Sequence, residues 1–385
     1  MALPENFCFA PFHRLQIGNK SFGPCSYTAN VWSNNTNQTI EQIWQSEHYN
    51  DFRESFLRNE KNKTCKLCWR EEEAGQTSLR NRLSTFKNTS NLKTIHEKYI
   101  SSKEYIKYPK IITLVPGNQC NLACVICSSE LSSKWNSEFK AMKNNTGKSE
   151  FDPAVENWNV TDEQYQDIVD NSDKIQRLEL FGGEPFYNKK NKSHLIDKII
   201  EKGTAKNIVL YFNTNCTVYD EEFLSRISKH FKKIEIRASI DGTDKQFEYI
   251  RYGGEYKTVL ENCIKFSKLP NSDFEIILTI SLWNFMYLDE YHAEFCDKYK
   301  FSVRWNLVAN IDHLLLFQIP DEVKDKISLS ERFKFVERYI KNNQADKNAW
   351  QRFVRFTNML DKHRGNSVKI AFPKFYNLVK NHWSE

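Results

Sequence analysis

From residue 110 onward, short apolar stretches alternate with longer segments whose apolar positions recur every three or four residues. The short stretches read as β-strands: Ile111–Val115, Arg177–Phe181, Ile208–Phe212, Ile234–Ile240, Phe274–Ile280 and Val303–Val308. The intervening segments read as helices near 129–142, 161–171, 191–203, 220–231, 254–268 and 287–298. Strict β/α alternation implies a parallel sheet with right-handed crossovers. The pattern therefore predicts an α/β fold, a partial (β/α)6 TIM-like barrel over residues 110–310. Upstream the pattern is short and broken. Leu15–Ile17 and Phe22–Cys25 around Gly18-Asn19-Lys20 read as a β-hairpin, and Ile40–Leu57 as helical. These features define a small module at 1–80, joined by a polar helical connector at 81–109. Residues 311–385 form a helical C-terminal extension, and Asn144 to Asn159 an insertion loop.

The strands also carry a polar face. In a barrel one strand face packs on helices and the other faces the lumen. The apolar set of the fourth strand is Ile234, Ile236, Ala238 and Ile240, which turns Glu235, Arg237 and Ser239 inward. The same rule turns Glu179, Tyr211 and Asn213 inward from the second and third strands. It does so for Glu275, Thr279 and Ser281 from the fifth strand, and for Ser302, Arg304 and Asn306 from the sixth. Such a lumen suits a polar ligand, with Tyr211, Arg237, Thr279, Ser281, Arg304 and Asn306 as candidate substrate contacts. The alternative is internal pairing of Glu235 or Glu275 with Arg237 or Arg304.

Charge adds little: the net value is +6 over 385 residues, and the lysines are scattered. No basic stripe marks a nucleic-acid binder. Met1 to Phe12 lacks a basic-then-apolar signal pattern, and no apolar run approaches the ~18–20 residues of a membrane span. The expected location is the cytoplasm, where closely spaced cysteines read as metal ligands rather than disulfides. Seven of the ten cysteines fall into two groups. These are Cys8, Cys25, Cys65 and Cys68, and then Cys120, Cys124 and Cys127. Cys263 and Cys296 lie on helical segments and read as ordinary buried thiols.

The second group occupies one loop directly after the first barrel strand, at the mouth where active sites of such folds lie. Three thiolates there can ligate three irons of a cubane and leave the fourth open, although a zinc site has similar donors. Cys120-x3-Cys124-x2-Cys127, beginning Asn118-x-Cys-Asn, resembles the radical S-adenosylmethionine (SAM) signature. Phe181-Gly182-Gly183-Glu184-Pro185 is similar to that superfamily's Gly-Gly-Glu element, which contacts the SAM amino group. Ser239-Ile240-Asp241-Gly242, with Arg251 ten residues beyond Asp241, resembles its ribose- and carboxylate-contacting element. Asn213-Thr214-Asn215 resembles its Thr-Asn-Gly turn. Ile126 stands where many relatives place an aromatic beside adenine, and Cys216 replaces the turn glycine. Cys216 is either a small residue packed in a turn or a hydrogen-atom donor.

Cys8-Phe-Ala-Pro, Gly23-Pro24-Cys25, Ile40-Glu-Gln-Ile-Trp44 and Cys65-x2-Cys68 resemble the Twitch or SPASM module, which binds auxiliary [4Fe–4S] clusters. Four cysteines fit the one-cluster Twitch form, with structural zinc as the alternative. The module commonly follows the barrel, whereas here it precedes it.

The resemblance implies an oxidoreductase-type enzyme holding an open-iron [4Fe–4S] cluster, SAM and an auxiliary [4Fe–4S] cluster. Such an enzyme cleaves SAM reductively to a 5′-deoxyadenosyl radical, which removes hydrogen from a polar substrate, a peptide or protein. A flavodoxin- or ferredoxin-type reductant is implied as partner. Competing expectations are a dehydrogenase or epimerase of a small polar metabolite or peptide, and a catalytically silent iron–sulfur electron-transfer protein.

Overall fold

The computed structural model describes residues 4–19, 21–28, 32–33, 38–73, 77–84, 107–146, 155–309 and 311–383. Contacts divide the chain into two units. The first comprises Met1–Gly117, Trp158–Phe212 and Glu222–Glu235, and the second Asn118–Asn157, Asn213–Glu221 and Ile236–Glu385.

In the first unit the strands are β1 (Arg14–Gly18), β2 (Ser21–Gly23), β3 (Trp32–Ser33), β4 (Ile111–Leu114), β5 (Arg177–Leu180) and β6 (Val209–Thr214). Their order is β3-β2-β1-β4-β5-β6. The β1–β2 hairpin forms as its alternation predicts, but β1 also pairs in parallel with β4. The N-terminal hairpin thus continues the parallel sheet, an edge that strand patterning cannot reveal because pairing partners are non-local.

Register explains the two faces. Leu15, Ile112, Leu178 and Leu210 are paired in one row, and Ile17, Leu114, Leu180 and Phe212 in another. All eight are essentially fully buried. Burying each such side chain is worth roughly 1.5–3 kcal/mol, so a one-residue slip that inverts the faces is excluded. The opposite face carries Gln16, Thr113, Glu179 and Tyr211 in register. Glu179 accepts from Arg14 at 2.6 Å, from Arg177 at 2.6 Å and from Thr113 at 2.8 Å. Arg177 in turn makes a two-pronged contact with Glu235 at 3.1 and 3.0 Å.

The second unit holds β7 (Lys233–Ser239, from Ile236), β8 (Ser272–Ile280) and β9 (Val303–Leu307), in the order β7-β8-β9. β8 and β9 are parallel. All six expected strands thus form at the predicted segments, on an α/β plan. The expected internal pairing is present. Arg237 contacts Asp273 at 2.9 Å and Glu275 at 3.0 Å, and Glu275 also holds Arg304 at 2.5 Å.

Helices depart from the pattern at their ends. The expected 40–57 helix is two, Ile40–Trp44 and Glu47–Leu57, because Ser46 turns its hydroxyl to Tyr49 N and starts a new helix. The 254–268 helix starts at Tyr256 and follows an extra helix, Asp244–Ile250. The 129–142 helix starts at Ser133 and runs to Thr146. Of the expected connector, Leu79–Ser84 is helical and 85–106 lies outside the described residues, as does 147–154 of the insertion loop. The extension is helical, with Lys347–Arg364 its longest element. Among the described residues no helix is long and apolar enough to cross a membrane.

Glu179 yields a test. Burial pushes its carboxyl up, but Arg14 and Arg177 outweigh this and hold it below the usual carboxylate value. A depressed carboxyl contributes stability that is present above its unfolded pKa of ~4.3 and is lost as pH falls through the folded value. Glu179→Ala should cost about 3 kcal/mol in urea unfolding at pH 7, because the largely buried Arg14 loses its carboxylate and Arg177 one of its two. Wild type should also lose stability more steeply below pH ~4 than Glu179→Gln does.

Candidate active site

The residues of the cysteine loop are fixed by backbone bonds to one other segment. Ala123 N donates to Tyr252 O at 2.9 Å and Val125 N to Ile250 O at 2.8 Å. Arg251 lies between those two acceptors and so faces the loop. Its Nη1 donates to Cys124 Sγ at 3.7 Å, while Nε reaches Asp241 Oδ2 at 2.6 Å. Asp241 is fully buried, and its other oxygen accepts Thr279 N at 2.8 Å. Asn284 binds the Asp241 carbonyl at 3.0 Å. Gly242 follows because any side chain would collide there: a Cβ would stand 2.9 Å from Phe247 N.

Cys124 is buried, whereas Cys120 and Cys127 are partly exposed. Burial pushes the Cys124 thiol up, with Arg251 and then Arg364 acting against it and Asp241 with it. Asn215 Nδ2 approaches Cys120 Sγ at 3.9 Å and Asn121 Oδ1 at 3.1 Å, and Asn121 donates to Thr217 at 2.9 Å. Asn213 accepts from Ser239 at 3.2 Å. The second unit therefore gathers the three cysteines with Asn215 and Arg251, and Asp241 behind Arg251. Ile126 is half-buried in the same loop.

Cys216 adopts a left-handed φ of 59°, the conformation a glycine would take in this turn. Its side chain is fully buried, and Asn262 holds its carbonyl at 2.8 Å. Thr279, Ser281 and Asn306 belong to the same unit. Ser281 is fully buried, and its N donates to Asn284 at 2.7 Å. Arg237 and Arg304 are engaged by the carboxylates named above.

In the first unit, Gly182 and Gly183 have φ of 75° and 55°, consecutive left-handed residues that suit a pair of glycines. The turn ends in Glu184, which is buried and accepts Phe186 N at 3.3 Å. Tyr211 belongs to this unit as well, with Arg177 over its ring at 4.9 Å.

The same unit draws Cys8, Cys25, Cys65 and Cys68 around one cavity, across 60 residues of sequence. All four are buried. Burial, then the neighbouring thiols, pushes Cys8 well up and Cys65 to about 12. Burial likewise pushes Cys68 to about 11. Among the described residues no three His, Cys, Asp or Glu side chains converge on a single-ion position; the thiols instead surround a shared space. Cys8, Cys65 and Cys68, which burial pushes up, need a bound cation before they can ionise, and a cluster would supply it. The donor set fits a fully ligated [4Fe–4S] group, and Cys120, Cys124 and Cys127 fit one with an open iron.

Sequence reasoning missed the residues that close the cysteine loop from behind. Leu122 O accepts from Ser132 at 2.6 Å, Ala123 O from Arg364 at 2.7 Å and Cys124 O from Trp135 at 2.7 Å. Ser132 and Trp135 are near in sequence and lacked only a motif, whereas Arg364 lies 241 residues from Ala123 and leaves no local signal.

Residues 111–249 match the family model described as a 4Fe-4S single cluster domain, and residues 8–69 the SPASM iron-sulfur cluster-binding domain. No curated protein matches the chain. Among solved structures, the chain is similar to native anSMEcpe with bound AdoMet, at 16% identity and TM-score 0.41, covering 67% of this chain and 63% of that one. It is also similar to Streptococcus suis SuiB bound to S-adenosylmethionine, at 13% identity and TM-score 0.40, covering 97% and 75%. SuiB bound to precursor peptide SuiA gives 14% identity and TM-score 0.39, covering 81% and 64%. The match spans less than two thirds of the anSMEcpe chain. Both cysteine groups lie inside segments that match iron–sulfur cluster-binding family models. Residues 111–249 thus carry a 4Fe-4S single cluster domain, preceded by a SPASM iron-sulfur cluster-binding domain at 8–69. That module precedes the barrel in this chain.

The Arg251–Asp241 pair can be tested without any cofactor. Asp241→Ala removes the acceptor of a buried guanidinium and of Thr279 N together. Urea unfolding of the cofactor-free chain should show a loss of about 3–5 kcal/mol. A loss below ~1 kcal/mol, the range of surface pairs, would contradict the buried pairing.

Proposed function

We propose that this protein is a radical SAM enzyme that abstracts hydrogen from a polar substrate, a peptide or protein, and oxidises it by dehydrogenation or cross-linking. The observation that supports this most directly is Arg251 set between Cys124 Sγ and the buried Asp241, at 3.7 and 2.6 Å. A guanidinium so placed steadies an ionised Cys124 and keeps its remaining donors fixed relative to the loop. When bound, the open-iron cluster and SAM supply a 5′-deoxyadenosyl radical, and the auxiliary cluster supplies an electron acceptor.

On this reading Cys120, Cys124 and Cys127 hold the open-iron cluster. Glu184, behind its two left-handed glycines, is the residue that the Gly-Gly-Glu resemblance assigns to the SAM amino group. Arg251, Ser239, Asn213 and Asn215 bind its polar portions and Ile126 packs on its adenine. Asp241 acts through Arg251, since both its oxygens are occupied within the chain. Cys8, Cys25, Cys65 and Cys68 hold the electron-accepting cluster. The enclosure of Cys216 favours oxidation over epimerisation, because a hydrogen-atom donor must reach the substrate radical. Thr279 and Asn306 remain candidate substrate contacts of the second unit and Tyr211 of the first, whereas Ser281 is fully buried against Asn284. Arg237 and Arg304 hold the strands together through Glu275. A flavodoxin- or ferredoxin-type protein is the proposed reductant.

Anaerobic reconstitution tests the reading. Wild type should bind about eight irons per chain and Cys120/Cys124/Cys127→Ala about four, with 5′-deoxyadenosine formed only by wild type. About four irons falling to none would remove the auxiliary cluster from the proposal. A product of unchanged mass with inverted stereochemistry would replace oxidation by epimerisation.

A further inference from the structure

The Lys347–Arg364 helix lies outside both matched cluster segments, yet its last residue touches the cysteine loop. Arg364 is fully buried and donates through Nη2 to Ala123 O at 2.7 Å, the carbonyl just before Cys124. The same nitrogen meets Glu138 at 2.8 Å, on the helix that follows the loop. Its guanidinium lies between two rings, 4.7 Å from Trp135 and 4.2 Å from Tyr252. Tyr252 belongs to the segment that hydrogen-bonds the loop from the other side. Gly365, at φ 64°, ends the helix directly after Arg364 and so sets the guanidinium at the negative end of the helix dipole. One turn earlier Asp361 accepts from Tyr249 at 2.7 Å and from Val368 N at 2.8 Å. The last turn of this helix therefore grips the cysteine loop and the segment carrying Arg251 together.

A guanidinium held against two rings, a carbonyl and a carboxylate has one geometry. Reduction of a cluster on the neighbouring cysteines adds a negative charge to a buried site, and a fixed cation nearby favours the reduced form. We propose that Arg364 is a positioning residue for the cluster held by Cys120, Cys124 and Cys127. It fixes the loop through Ala123 O, and its charge raises that cluster's reduction potential. This rests on the cluster reading above and gives the C-terminal extension its role: it completes the cluster site.

The test is an EPR-monitored redox titration of the reconstituted full chain. It follows the signal whose shape changes on adding SAM, which marks the open-iron cluster. Arg364→Gln should move its midpoint potential to more negative values and Glu138→Gln to more positive ones, while Arg364→Lys stays close to wild type. A merely structural role would not give opposite signs for the two partners. Should Arg364→Gln fail to hold iron, Glu138→Gln decides alone: a positive shift supports the proposal and an unmoved potential overturns it. Unmoved potentials in both Gln variants overturn it as well. A wild type that binds iron but shows no SAM-responsive signal overturns the cluster reading itself, and that failure is visible before any substitution is made.

Discussion

A thiolate withdrawn from water needs a positive charge beside it, and in the second unit that need organises a chain of contacts from the loop to the sheet. Cys124 is buried; Arg251 reaches its sulfur, Asp241 holds Arg251, and Thr279 N on β8 holds Asp241. Each buried ion alone would cost several kcal/mol, so no member of this relay is stable without the next. Asn284 and Tyr291 extend it by binding the carbonyls of Asp241 and Ile240 at 3.0 and 2.9 Å. The loop is thus anchored to β8 through charge, and to residues 250–252 through backbone bonds.

Burial raises N-terminal thiols as it raises Cys124. There neighbouring thiols add to burial, Cys65 reaching about 12, and the charge that would ionise Cys8, Cys65 and Cys68 comes from what binds. The polar sheet face shows a third arrangement. Glu179 has Arg14 and Arg177 on either side, and Glu275 has Arg237 and Arg304. Pairs of this kind add little net stability over apolar packing, but they penalise any register that would separate them.

Much of this was legible from the chain because the signals are local. A strand shows its two faces by alternation, and the cysteine spacing Cys120-x3-Cys124-x2-Cys127 brings three donors onto one loop whatever surrounds it. The left-handed Gly182-Gly183 turn is likewise written in the residue types that permit it. The break at Ser46 is local too, but the expected Ile40–Leu57 helix ran through it. Pairing of Glu235 or Glu275 with Arg237 or Arg304 was one of two sequence readings of the polar strand face, and the structure joins both arginines to the single carboxylate of Glu275.

Residue order and type by themselves determined the strand–helix alternation, the apolar and polar faces, the two cysteine groups and the turns that end the strands. Each of these depends on neighbours within a few positions. Tertiary structure decided which strands pair beyond the alternation, as when β1 joins β4, and which distant side chains close the site. Cys8 meets Cys68, and Arg364 meets Ala123, only when the intervening chain has folded. Such contacts are fixed by the packing of whole elements, where the burial of many side chains outweighs the entropy of closing long loops. No local pattern records that balance.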